Sequence, residues 1–482
     1  MTFLKIPYDF NGLLIWIALT AFPVSIMAQK LTKSNQLTNY DSKFSPVEWF
    51  KVNSSFYLYQ NFKDEYSQNS ELRRFTKDLS PTKDIINLSE QGLGFTSLDV
   101  ICYQDQILHV SEVETEDSIS TFYQVINPVS NQKSSQYLIS GYKKNNQYES
   151  DFSKTFYASQ DKKKLCLVAE VEGRRFDKQA LKVITFGENL KINAVINFDF
   201  KHPKSRMSFE EIKYADNGDL FVLSKINRSD DHFFEVYFLS ARGNSVLLET
   251  IEHGDMPSMG FKDNGDFFLI KPYSSVPTFL TQGVKLSIYN KTTHELTGSN
   301  FHGFDLDFYL NLNSSRGRKK ITIDHKNGNL LARDRILFPY FFEIGDSKII
   351  VGYAKQQGTF NEKMFVFCFD AAFKLKWSEW FIATTGEIEI THRSNDIIVT
   401  FSGSEAYQER NLSQVGFMSV VVSPEGFTTP QKHMAYDDFH TPRLKKIKAT
   451  SDIGEQLYYQ LEAQTELNAN KQNYWFYNFD VE

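Results

Sequence analysis

The sequence predicts an all-β chain of recurring four-stranded antiparallel units, and three observations carry that prediction. The first is a stretch that reads twice in one pattern, from Phe209 to Thr297. Each copy opens with a short strand and turns at Asp-Asn-Gly-Asp, at Asp216–Asp219 and again at Asp263–Asp266. An apolar strand, a polar loop, an alternating strand, a tight turn and a last strand follow each turn. The two turns lie 47 residues apart (263 less 216), within the roughly 40–50 residues of a propeller blade. The second observation is texture. Phe, Tyr, Val and Ile alternate with polar residues over short runs, and Asn-Gly or Asp-Gly pairs cut between the runs. The third is the chain end, NYWFYNFDVE, an aromatic strand suited to closing a ring against the N-terminal part and so removing exposed sheet edges. Together they predict a β-propeller of seven or eight four-stranded antiparallel blades, with a β-sandwich pair as the structural alternative.

Residues 1–28 read as a secretory signal peptide. Lys5 precedes an apolar run from Gly12 to Ala28 that ends in a small residue before Gln29. The run holds Pro23 and is short for a membrane span of about 20 residues. The expectation is therefore export, to the periplasm or cell surface, with no transmembrane segment in the mature chain. Residues 29–45 are polar and read as a flexible leader, and 46–482 as the propeller. Strand text starts at Val47. The charged stretch from Asp64 to Asp84 reads as an insertion, so elaborated loops are expected near 61–96 and again near 298–340. Units begin near residues 47, 98, 156, 211, 259, 320–343, 389 and 446. Eight units would average about 57 residues, against about 40–45 for a typical blade, so seven with one large insertion fits as well. Helical periodicity is scarce. Its best candidates are Ser67–Lys77 and Ser451–Glu462.

Composition narrows function only coarsely. Hydrophobic residues make up 41% of the chain, ample for a core. A formal charge of -6 argues against a general nucleic-acid surface. The cysteines Cys102, Cys166 and Cys368 all lie in apolar runs without Cys-x-x-Cys pairing, which reads as small buried hydrophobes.

No linear motif points to chemistry. The Asp-Asn-Gly-Asp turns lack the ligand spacing and the distal Glu of a calcium loop and read as hairpin turns. None of the ten histidines forms a zinc motif. The densest polar cluster is His302, Asp305 and Asp307, with the two aspartates expected on one strand face. There is no nucleophile elbow, dinucleotide fingerprint or P-loop. Basic patches occur at Arg316–Lys320 and at Lys162–Lys164 with Arg174 and Arg175. Trp49, Trp377, Trp380 and Trp475 suit either sugar stacking or packing between blades. No residue is assigned a catalytic, cofactor-binding or metal-ligating role, and no cofactor is implied.

In its Asp/Asn-Gly turns the chain, over Phe156–Ser423, resembles repeat propellers of the NHL and TolB kind. It lacks the Gly-His and Trp-Asp signature of WD-repeat blades and the double glycine of kelch blades. The composition and the Ala-Gln cut resemble exported proteins of Bacteroidota. The expectation that follows is a non-catalytic binding or scaffolding component of a cell-envelope assembly, with an envelope or outer-membrane protein as partner. The alternatives are a glycan hydrolase or lyase with a funnel active site and a passive carbohydrate-binding protein. A funnel lined by two or three carboxylates and a histidine would favour the enzyme.

Overall fold

The computed structural model describes residues 30–480 apart from intervening stretches that include 39–43, 90–94, 144–150, 172–176, 275–280, 328–334, 356–360, 405–415, 436–442, 450–455 and 465–471. The signal-peptide reading of 1–28 lies outside the described residues. Seven hydrogen-bonded sheets occur among the described residues, mostly of four antiparallel strands, the arrangement of a β-propeller. The nine-stranded sheet contains two successive four-stranded sets, joined only by the pairs Ile382–Ser404 and Ala383–Gly403. In chain order the sets span 44–87, 95–143, 151–203, 207–251, 258–303, 335–384, 389–435 and 443–480. They are called the first to eighth sets below.

The repeated stretch folds as two consecutive sets. Met207–Tyr214, Leu220–Asn227, His232–Leu239 and Ser245–Ile251 form the fourth, each strand paired to the next. Ser258–Phe261, Phe267–Ser274, Thr281–Tyr289 and Leu296–Gly303 form the fifth. Both Asp-Asn-Gly-Asp segments are the turns between first and second strands.

Sheets stack face to face, and this is why the middle strands are apolar on both sides. Side chains alternate across a strand, so each middle strand feeds two different cores. Along Leu220–Asn227, Leu220, Val222 and Ile226 pack against the third set. Phe221 and Leu223 pack against the fifth. In Asn361–Phe369, Phe365, Phe367 and Phe369 face the fifth set, while Met364, Val366 and Cys368 face the seventh. The same division holds for Leu165–Val171 between second and fourth sets. Hydroxyls and charges add directed bonds between neighbours. Tyr57 donates to the Pro128 carbonyl at 2.9 Å and Tyr340 to that of Ile388 at 2.8 Å. Glu235, 1% exposed at its side chain, receives Lys201 at 2.7 Å and His202 at 3.0 Å from the third set, and Tyr237 from its own.

The ring closes through the chain's own ends. Lys30–Lys33 pairs antiparallel with Tyr477–Asp480, so the eighth set takes its outermost strand from the N-terminal side. Leu37–Thr38 pairs with the same C-terminal strand. The stretch read as a flexible leader thus supplies closing strands.

Other expectations are corrected. The charged segment near 61–96 is no insertion. Its residues Gln68–Phe75 and Pro81–Asn87 are regular third and fourth strands of the first set. Ser67–Lys77 and Ser451–Glu462 hold strands instead of helices, Gln68–Phe75 and Gln456–Gln464. The helices lie in the 298–340 elaboration. They are α1, Leu306–Leu312, and α2, Ser315–Lys326, between the fifth and sixth sets. Phe308, Tyr309 and Leu312 of α1 and Ile321 of α2 are buried in the core shared by those sets. Among the described residues no helix is long and apolar enough to cross a membrane.

Two substitutions test the two-faced packing. Leu223→Ala, at a fully buried position, is expected to cost about 2–5 kcal/mol. At Gly283 an added Cβ would sit 2.2 Å from the His302 carbonyl oxygen, so Gly283→Ala is expected to cost about 1–3 kcal/mol through overpacking. Exposed Lys319→Ala should stay within about 0.5 kcal/mol of wild type. Denaturant titration reads all three, and equal stabilities for the three variants would contradict the packing described.

Candidate functional site

The Asp-Asn-Gly-Asp turns shape one face of the propeller. In the fourth set the Ala215 amide donates to the Asp219 carbonyl at 2.8 Å and Gly218 to Ala215 at 2.9 Å. The fifth set repeats this with Lys262, Asp266 and Gly265. Gly218 and Gly265 hold φ of 95° and 85°, where a side chain would be strained. Asn217 bonds Asp219 through both ends of its amide, at 3.0 and 2.6 Å. Asn264 does the same with Asp266 at 3.0 and 2.8 Å.

The last aspartate then staples this turn to the turn between third and fourth strands. Asp219 Oδ1 accepts the Ala241 amide at 2.8 Å, and Asp266 Oδ1 accepts that of Lys291 at 3.1 Å. The leading aspartate reaches backwards: Asp216 Oδ1 accepts the Asp161 amide of the third set at 2.9 Å. These carboxylates hold turns together, in keeping with the hairpin reading of the motif. Among the described residues no three His, Cys, Asp or Glu gather as metal ligands.

The turn between third and fourth strands carries a left-handed non-glycine residue in the second, third, fifth and sixth sets: Asn131, Leu190, His294 and Phe373, with φ of 57–62°. Leu190 and Phe373 drop their side chains into the core. His294 is the ionisable member of the series. Its ring stacks on Phe238 with centroids 3.6 Å apart, and its Nε2 lies 3.9 Å from Asp219 Oδ2. Burial lowers its pKa, while Asp219 pulls the other way.

Around these turns lies an open groove of about 1060 Å³ between the fourth and fifth sets. Phe221, Phe238, Phe261 and His294 line its floor, and Arg242 and Lys291 its rim. It is continuous with a smaller cavity of about 340 Å³ where innermost strands converge, because Gln160, Phe261 and Asp263 line both. That axial cavity collects side chains from five sets: Gln160, Lys213, Lys262 and Asp263, Tyr340 and Glu343, and His392. Lys262 pairs with Glu343 at 3.1 Å, and Lys213 with Glu211 at 2.8 Å. Glu211 also accepts the Met259 amide at 3.3 Å. No linear motif could have revealed this site, since its polar side chains come from several sets.

The sequence's own candidates do not converge there. Asp305 caps α1, accepting the Phe308 amide at 2.8 Å. Asp307 is in the first turn of α1, so the two aspartates share no strand face. His302 packs edge-on against Phe369 and Phe367, and burial lowers its pKa. Trp380 packs on Phe308 and Phe365. Trp377 donates to the Pro424 carbonyl at 3.2 Å. The side chains of Trp49 and Trp475, and residues Lys162, Arg174 and Arg175, lie outside the described residues. Cys166 and Cys368 are buried and Cys102 half-buried, and none of them is in a disulfide.

Sequence reading also missed a buried polar chain. Tyr59 and Ser97 share a hydrogen bond of 2.8 Å across the first and second sets, and Ser97 Oγ meets His109 Nε2 at 2.8 Å. Gln124 opposes His109 on the next strand. The chain is sealed, with Tyr59, Ser97 and His109 each at most 3% exposed. It serves the interface between sheets.

No family model matches the chain, and no curated protein matches its sequence. Solved structures resemble it at a distance. A propeller called Dos1 shows 9% identity and a TM-score of 0.44, over 92% of this chain and 95% of that one. The polysaccharide lyase Uly1 shows 10% identity and 0.42, over 97% and 95%. A prolyl endopeptidase shows 10% identity and 0.41, over 88% of this chain. The chain spans about half the length of that peptidase, 55%. These likenesses say nothing of activity, and no NHL or TolB identity emerges from them.

Burial, chiefly, and then Lys133 lower the His109 pKa from 6.5 to about 4. Below pH 6.5 the unfolded chain therefore binds a proton that the folded protein refuses. This contribution is intact above 6.5 and is lost as pH falls to about 4, a change of about 3 kcal/mol. His109→Gln should remove it. The difference between wild-type and variant unfolding free energies across pH 7 to 4 is the readout, and a flat difference would refute it.

Proposed function

We propose that this chain is an exported, non-catalytic binding or scaffolding component of a bacterial cell-envelope assembly, and that a partner protein seats on its turn face. The observation that carries the reading is the continuous groove from axial mouth to rim. Its apolar floor and polar rim have the make-up of a contact surface. Asp216 and Asp219 in its wall already serve as structural acceptors, which favours contact over acid–base work. The floor rings favour a protein over a sugar. Phe221 is stacked on Phe267 and Phe238 on His294, so flat faces are covered. Export rests on the pattern of residues 1–28 and places the protein in the periplasm or at the cell surface.

A second reading has one observation in its favour. Asp263, Glu343, Tyr340 and His392 meet at the axial mouth with two lysines, the kind of assembly a glycan hydrolase or lyase uses. Against it stands the engagement of Glu343 by Lys262.

Site-specific crosslinking separates the two. A photo-crosslinker at Asn244, on the exposed rim, is expected to capture one protein of defined mass in cells. Arg242→Glu with Lys291→Glu should cut the yield by about tenfold or more, since like charges facing a partner oppose docking. No adduct, or an adduct indifferent to the rim charges, would defeat the binding reading. Release of oligosaccharides from envelope glycan, abolished by Glu343→Gln, would replace it with the enzymatic one.

A further inference from the structure

The basic stretch singled out in the sequence has no part in the groove. It forms α2, SRGRKKITIDHK, with five cations (Arg316, Arg318, Lys319, Lys320, Lys326) against one acid, Asp324. The whole chain carries -6. Positive charge is thus concentrated on a helix that the sheet architecture does not require.

α2 is held firmly. Ile321 is buried in the core that also takes Phe308, Tyr309 and Leu312 of α1. Arg318 donates to the Leu310 carbonyl at 3.1 Å, and Lys363 of the sixth set donates to Asn311. Both cations sit at the C-terminal end of α1, where the helix dipole favours them. Arg318 is therefore a structural residue.

The remaining cations fall on one side. At ~100° per residue, positions 316, 319, 320, 323 and 326 span a sector of about 120°, opposite Ile321. Lys319 and Lys326 are exposed, and Ile323 at the centre of the sector is 51% exposed. Asp324 lies at the sector's flank. An exposed isoleucine between the exposed Lys319 and Lys326, on a helix side whose sequence positions are otherwise cationic, is the pattern of a helix lying in a membrane interface. A nucleic-acid backbone would use the cations and leave the isoleucine idle.

Location agrees with this. Turns between first and second strands and between third and fourth strands emerge on one face, so the crossings between sets emerge on the other. α1 and α2 sit in such a crossing, away from the groove.

We propose that the exposed face of α2 docks the protein on an anionic lipid surface, with the cations against headgroup phosphates and Ile323 entering the acyl boundary. The contact leaves the turn face open. It is independent of what the groove binds.

Vesicle co-sedimentation of the purified protein tests it. Binding is expected to vesicles of phosphatidylcholine mixed with phosphatidylglycerol, not to phosphatidylcholine alone, and to weaken at high salt. Lys319→Ala, Lys320→Ala and Lys326→Ala combined should lower partitioning about a hundredfold, at roughly fivefold per cation. Ile323→Ser alone should also lower it, which a purely electrostatic contact would not show. The rim variant Arg242→Glu with Lys291→Glu should bind vesicles as wild type does, so failure of the groove reading leaves this result standing. Equal partitioning of the triple variant and wild type, with thermal melts matched, would overturn the proposal. So would duplex DNA binding in place of vesicle binding.

Discussion

The structure depends on one packing constraint: among the described residues the middle strands are buried on both faces, by different neighbours. A strand in a two-layer sandwich hides one face and wets the other. Here Ile349 and Val351 belong to one core and Ile350 and Ala354 to the next. Runs such as MFVFCF follow directly. So does the large complement of phenylalanine, 43 residues in all, because wedge-shaped gaps between twisted sheets take large flat side chains. Phe221 on Phe267 and Phe369 on Phe373 show how those rings fill the space.

With the sheet faces committed to packing, chemistry is confined to the ends of the strands. The two ends differ. On the turn side, aspartate and asparagine form short-range staples, and aromatic rings lie just beneath them. The acids there are largely neutralised by amide donors and lysines. On the crossing side, the chain spends its one described helical elaboration on a cationic face. A ring of this kind can therefore hold two contacts with unlike partners at once, with no competition for surface.

The sequence displayed the regular part of this design and concealed the rest for physical reasons. The Asp-Asn-Gly-Asp turns were legible because glycine and asparagine report backbone conformation directly. The start positions of the sets were legible because alternation restarts after each crossing. The helices were hidden, since Phe304, Leu306 and Phe308 alternate with Gly303, Asp305 and Asp307 as a strand would. Only Asp305, read as a cap, would have marked the helix start. The segment from Gln68 to Phe75 misled in the opposite sense: its charges look like a loop, yet ladder pairing to Ser55–Lys63 overrides composition. The axial cavity was beyond reach, because Lys213, Lys262, Glu343 and His392 are brought together only by the stacking of successive sets. His294 left a faint trace as a bulky residue at the end of a polar turn, matched by Leu190 and Phe373.

Closure of the ring has a temporal meaning. Lys30 finds its partner in Asp480, nearly the whole length of the chain away. A pairing so remote is among the last to be satisfied, and until then both ends of the stack present open edges. Contacts so remote in sequence carry the largest loop entropy and form slowly. Folding therefore passes through an unclosed arc, and whatever shields the edges of that arc decides how much of it survives to become a ring.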